Sequence, residues 1–256
     1  LLCTLPVNMA TAFAPGKCIL FGEHAVVYGH PAVAVAIDQG VQVSLTNSKN
    51  WTIDGHSFSH SRHPHISHII KDLFKYKGSP LNIEIKSDLF SAAGLGSSAA
   101  LSNAMGAALH YFLNKDEDLN LIKLAKIAHS AEAIAQGGRA SPTDTAASAL
   151  GGCIVVSGKE VEGTINVCKT SVDTPEGERN WVINKVIIPP ESEDIYLILG
   201  FTGDASPTGN MVQGVANLLK SNPDKINVMD SISKITLAGL SALSAGNFEA
   251  VGIAMN

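Results

Sequence analysis

Residues 94–100 read Gly94-Leu95-Gly96-Ser97-Ser98-Ala99-Ala100. Neither glycine has a Cβ, so each can take φ > 0 and let the backbone approach a bulky anion. Two serines follow, and small helix-forming residues continue to about His110. The spacing predicts a loop that feeds a helix N-terminus, where free amides and the helix dipole favour phosphate. No Gly-Lys-Ser/Thr follows the glycines, so this is not a Walker loop. On its own the run also fits a plain glycine-rich helix cap.

Upstream of it, Leu81 to Ile85 alternates apolar and polar residues, as a half-buried strand does. Pro64 to Tyr76 carries Ile66, Ile69, Ile70, Leu73 and Phe74 at helical spacing. Trp51 to Phe58 reads as a short strand. Cys18 to Phe21 and Ala32 to Leu45 read as longer ones, on either side of the glycine-bracketed run Gly22-Glu23-His24-Ala25-Val26-Val27-Tyr28-Gly29. Downstream, helices are expected at about 96–113, 119–136 and 144–149, with Gly137-Gly138 ending the second. Cys153 to Val156 and Ile165 to Lys169 read as strands, Asp173 to Asn180 as a charged loop, and Ile195 to Gly200 as a strand. Helices at Thr208–Leu219 and Ile226–Ser244 follow. The mix is α+β, not strict βαβ alternation. A composition shift near 160–190 marks the expected domain boundary.

At 256 residues and 45% hydrophobic composition, the chain can bury one large core or two modest ones. The net charge of −5 comes with no basic stripe, which excludes nucleic acid and anionic membrane as expected partners. No apolar run reaches the roughly 18–20 residues of a membrane span. Cys3, Cys18, Cys153 and Cys168 form no Cys-x-x-Cys pair, which speaks against zinc and a disulfide framework and suits a reducing cytosol. Met9 is the first methionine, so residues 1–8 read as an upstream extension.

Three segments carry chemistry. Lys17 sits beside the Pro15-Gly16 turn at the mouth of a strand, where a lysine can equally stay in water. A serine hydroxyl at the junction of loop and helix can enter the shell of a Mg²⁺ carried by nucleotide phosphates. Glu132 lies on a helix and Asp144 follows at the start of another, in Ser141-Pro142-Thr143-Asp144. These two carboxylates suit a metal ligand plus a general base; they equally suit two surface acids, one of them a helix N-cap.

Taken in order and spacing, Lys17, the Gly22–Gly29 run, the glycine-serine loop and Ser141-Pro142-Thr143-Asp144-Thr145 resemble the GHMP small-molecule kinases, most closely those of the archaeal mevalonate kinase type. The similarity extends through Phe201-Thr202-Gly203 and covers roughly residues 12–256. It implies a two-domain α+β GHMP kinase fold. Residues 1–11 would be an extension, 12–170 the N-terminal ATP-binding domain, and 190–256 part of a ferredoxin-like C-terminal domain. It implies ATP-dependent phosphorylation of mevalonate in isoprenoid biosynthesis, in the cytoplasm, with Mg²⁺ as cofactor and a homodimer as the assembly. The alternatives are a sibling kinase acting on phosphomevalonate or another small alcohol, and an inactive ligand-binding fragment.

Residue by residue, the resemblance makes Asp144 the acceptor of the alcohol proton and Lys17 the neutralising charge beside it. Gly94, Leu95, Gly96, Ser97, Ser98 and Ala99 would cradle the phosphates, and Ser98 with Glu132 would hold Mg²⁺. Glu23, His24 and Thr202 would face the substrate. Three departures stand out. Phe90 occupies a place where the family usually has proline, Gly137-Gly138 adds one residue between Glu132 and Asp144, and the family's C-terminal glycine-rich motif is expected beyond residue 256, so the chain reads as truncated before it.

Other features are set aside. His56, His60, His63, His65 and His68 straddle a proline, and only His65 and His68 share a helical face, so a solvated loop and helix edge are expected there. Ile226, Met229, Ile232, Ile235 and Leu240 read as core. Cys153 reads as a small buried hydrophobe.

Overall fold

The computed structural model describes residues 9–90, 93–114, 117–136, 138, 140–174, 177–189, 195–203 and 208–256. The extension at 1–8 and Gly137 therefore lie outside the described residues; of residues 9–11, the structure makes the start of a strand. That strand, β1 (Met9–Phe21), runs antiparallel to β2 (Ala32–Asn47) from Met9 opposite Thr46 to Phe21 opposite Val33. Sequence reasoning starts it only at Cys18, because Pro15-Gly16 reads as a turn. Instead the pair is absorbed as a bulge, with a register shift between Pro15 and Lys17. Among the described residues β2 is the strand β1 pairs with, so Pro15 lies on an edge strand and next to a bulge, where proline is tolerated.

On its other side β2 pairs with β5 (Leu81–Ser87) along Val41–Asn47 and with β6 (Cys153–Ser157) along Ala32–Val35. The short β3 (Thr52–Ile53) lies parallel to β5 and forms a hairpin with β4 (His56–Ser57), which makes the sheet mixed. Beyond β6 the sheet continues into a hairpin of β7 (Ile165–Thr174) and β8 (Gly177–Lys185). Of the loop expected at Asp173–Asn180, residues 173–174 and 177–180 are instead paired in these two strands, with Asp173 opposite Glu178, while 175–176 lie outside the described residues. The charges at Asp173 and Glu178 report solvent exposure, not an irregular backbone. The boundary placed at 170 falls inside β7, and the sheet runs on through Lys185.

Alternation along β2 explains the layers. Val41, Val43 and Leu45 meet Ala100, Ala104, Met105 and Leu109 of α2 (Ser97–Leu113). Ala32 and Ala34 meet Ala146 and Ala147 of α4 (Thr143–Leu150), while Val33 points the other way, toward Leu240 and Leu243 of α6 (Ile226–Ser244) and Val251 of α7 (Phe248–Met255). The alanines of α2 let it lie close to the sheet, which brings the loop before it against β1. On the same side, α3 (Leu121–Ala135) packs along α2. The helix α1 (Pro64–His68) opens on a proline, continues as a π-helical turn over Ile69–Leu73 and buries Ile66, Ile69 and Ile70. Cys153 is buried as expected, and burial pushes its thiol up to about 12.

Two further expectations need correction. Ile195–Gly200 forms no strand: Tyr196 and Ile198 are exposed, and no strand among the described residues lies beside them to take a ladder. On α6 the buried line runs through Met229, Thr236, Leu240 and Leu243; Ile226 and Ile235 lie off it and are exposed. A further helix, α5 (Thr208–Ser221), precedes α6. No helix of the described residues is long and apolar enough to cross a membrane.

Candidate active site

The bulge in β1 is where the glycine loop docks. The N–H of Lys17 donates to the carbonyl of Leu95 at 2.9 Å. A Cβ on Gly16 would stand 2.8 Å from that same oxygen, so only glycine permits the approach. The loop then turns through Gly96, at φ 71°, ψ 32°, which is the N-cap of α2 and offers no side chain to its amides. The first-turn N–H groups, including those of Ser97, Ser98 and Ala99, are left for an anion. The Lys17 side chain runs under this turn, and a Cβ on Gly96 would lie 2.9 Å from its Cγ. Gly96→Ala should therefore lose about 1–2 kcal/mol of stability and weaken nucleotide binding, read by thermal melting and nucleotide titration. An unchanged nucleotide affinity would remove the turn from the phosphate site.

Lys17 is 4% exposed, and its Nζ lies 3.1 Å from Oδ1 of Asp144. A buried ammonium needs such a partner. Asp144 stands in the first turn of α4, whose N-cap is Pro142 and whose start is tied by Thr145 Oγ1 donating to the Pro142 carbonyl. Its carboxylate is thus turned to Lys17, which decides against the N-cap reading. Burial raises the Asp144 pKa, Lys17 works against that, and Glu132 and Glu23 add to the rise.

Glu132 sits in the last turn of α3, where the helix dipole disfavours a carboxylate. It is 5% exposed. Burial alone would push its pKa up, but contacts from His65, then Ser98 and Gln136, outweigh burial and hold it below the usual value. Ser98 Oγ donates to Oε1, Gln136 Nε2 donates to Oε2 at 2.7 Å, and His65 Nε2 lies 3.2 Å from Oε1. Ser98 and Glu132 thus present two hard oxygens in contact, one of them an ionised carboxylate, beside the anion-binding turn. That donor set fits Mg²⁺. Gly138, at φ 88°, closes α3 by donating to the Ala133 carbonyl at 2.7 Å, so this half of the added glycine pair serves as a helix stop.

At the third corner, β1 ends in a turn in which the Ala25 N–H donates to the Glu23 carbonyl at 2.8 Å. The central residue, His24, is held at φ 62°, ψ −41°, a strained conformation for a side-chain-bearing residue. Lys17, Glu23, His24, Gly94, Glu132 and Asp144 line one cavity of about 70 Å³. A hollow of about 760 Å³ between α3 and the β7–β8 hairpin is larger, but its Lys169 is exposed and paired with Glu160 at 3.3 Å. Charge convergence, not size, picks the smaller one.

Thr202 is not brought to this cavity. It is exposed, next to Phe201, whose ring stacks on Phe90 at 5.2 Å. Without a strand at 195–200 nothing directs it inward. Two residues in contact with the site were missed. Gln136, the C-cap of α3, stands four residues after Glu132, a spacing that signals contact. His65 left only its shared face with His68 as a signal, because the fold of α1 onto α2 and α3 decides its neighbours.

Residues 64–152 match the family profile described as "GHMP kinases N terminal domain". The chain is 32% identical over 255 residues to a mevalonate kinase of Methanothermobacter thermautotrophicus, covering 96% of this chain and 75% of that protein. It is 33% identical to a mevalonate kinase of Archaeoglobus fulgidus, covering 96% and 76%. Among solved structures it is similar in fold to L. major mevalonate kinase in complex with R-mevalonate, with a TM-score of 0.65, 20% identity and coverage of 99% and 73%.

Proposed function

This chain belongs to the GHMP kinase family, among its mevalonate kinases, and on that premise we propose that its cleft transfers the γ-phosphoryl of ATP to the hydroxyl of mevalonate. The product is 5-phosphomevalonate, in isoprenoid biosynthesis. The observation that carries the site assignment is the Lys17–Asp144 pair at 3.1 Å beside an uncapped helix N-terminus.

Phosphoryl transfer asks the protein mainly for positioning and charge neutralisation. The amides of Ser97, Ser98 and Ala99 hold the phosphates of ATP. Ser98 and Glu132 would hold Mg²⁺, which when bound would screen the phosphate charge. Asp144 accepts the proton of the mevalonate hydroxyl as its oxygen bonds to phosphorus and the bond to the ADP oxygen breaks. Burial makes this carboxylate a stronger base than a free aspartate, and the adjacent Lys17 works the other way, favouring its ionised form. The Lys17 ammonium also faces the charge that develops on the transferring group. Glu23 and His24 line the acceptor side of the cavity.

Turnover of MgATP by the purified protein across a panel of alcohols tests this reading, with ³¹P NMR identifying the product. Mevalonate should be phosphorylated faster than 5-phosphomevalonate, homoserine or galactose. Faster turnover of another acceptor would overturn the substrate, and no transfer to any acceptor would overturn the activity.

A further inference from the structure

Glu132 is gripped from three helices at once. Ser98 reaches it from α2, Gln136 from the C-cap of α3, and His65 from α1. The bonding fixes which His65 nitrogen carries hydrogen. Ser98 spends its single proton on Glu132 Oε1, and a carboxylate only accepts. His65 Nε2 lies 3.0 Å from Ser98 Oγ and 3.2 Å from Glu132 Oε1, so it must be the donor to both oxygens.

The imidazole is held from behind. Ile66, Ile69 and Ile70 sink α1 into the core, and His68, one turn on, ties it to α3 through Ser130 Oγ at 3.2 Å while its other nitrogen meets Asp72 at 2.7 Å. His65 is therefore a donor on a fixed arm, aimed at the two oxygens that the proposed function gives to the metal. None of the roles assigned above uses it.

We infer that His65 is a positioning residue for the metal-bearing pair: its Nε2–H holds the Ser98 hydroxyl and the Glu132 Oε1 together in the orientation in which both serve one cation. The inference rests on the Mg²⁺ reading of Ser98 and Glu132. Outer partners of metal ligands set ligand orientation, and losing one typically costs about 10–100-fold in metal affinity.

The test is Mn²⁺ binding by electron paramagnetic resonance, with a non-hydrolysable ATP analogue bound, in wild type and four variants. His65→Ala should weaken Mn²⁺ by about 10-fold or more, and His65→Gln, which restores an N–H donor, should recover most of that loss. His68→Ala removes one tie of α1 while Ile66, Ile69 and Ile70 keep it in the core, so it should weaken Mn²⁺ clearly less than His65→Ala does. In steady state, His65→Ala should raise the Mg²⁺ concentration needed for half-maximal rate while the KM for mevalonate holds. Unchanged or tighter Mn²⁺ binding in His65→Ala, or an equal loss in His68→Ala, would overturn the inference. Glu132→Gln separates it from its premise. If that variant binds Mn²⁺ as wild type does, the metal reading and this inference fall together; if only Glu132→Gln weakens binding, this inference alone falls.

Discussion

Asp144→Asn should cut kcat by roughly 10²–10⁴, the range for a lost general base, while the dissociation constant for ATP stays near wild type. The amide keeps the shape of the side chain and an oxygen for the Lys17 ammonium 3.1 Å away, so the cleft keeps its geometry. What disappears is a group able to take the alcohol proton. The pH dependence gives a second reading. A base works ionised, so wild-type kcat/KM should fall as pH drops through the Asp144 pKa. Burial pushes that pKa above the ordinary aspartate value, so the acid limb should lie higher than a free carboxylate's. In Asp144→Asn this limb should vanish. A variant with comparable activity and an unchanged acid limb would take Asp144 out of the mechanism.

Lys17→Met should lower kcat by about 10²–10³, as losing one charged donor at a developing anion does. Methionine keeps the unbranched stem that packs beneath Gly96, so the phosphate turn retains its floor. The charge is what goes. Lys17 is the group that lowers the Asp144 pKa against burial, so its removal should also move the acid limb of kcat/KM to higher pH. Melting curves separate this from unfolding, because Asp144 can take up a proton and need not remain an uncompensated buried charge. Wild-type rates in Lys17→Met would place the residue outside the reaction.

The local parts of this site were legible in the sequence because their physics is local. Two glycines before a run of small helix formers specify a turn and a helix start, and the structure puts Gly96 at that N-cap with positive φ. Distances between segments were not legible. That Lys17 reaches Asp144 depends on the bulge at Pro15–Lys17 and on the dock of Leu95 against β1, neither of which has a periodic signature. His65 was visible only as one of several histidines around a proline; its contact with Ser98 is made by buried isoleucines elsewhere on α1. Composition misled at the β7–β8 hairpin, where charge marks an exposed edge and pairing decides the backbone. At Ile195–Gly200 an apolar run suggested a strand, but a strand exists only through its partner, and no described strand pairs with it.

The most direct measurement is a crystal structure with a non-hydrolysable ATP analogue, Mg²⁺ and mevalonate bound. Phosphate oxygens should sit on the amides of Ser97 to Ala99, and the mevalonate hydroxyl should lie within hydrogen-bond reach of the Asp144 carboxylate. Phosphates bound elsewhere, or a mevalonate hydroxyl far from Asp144, would contradict the account.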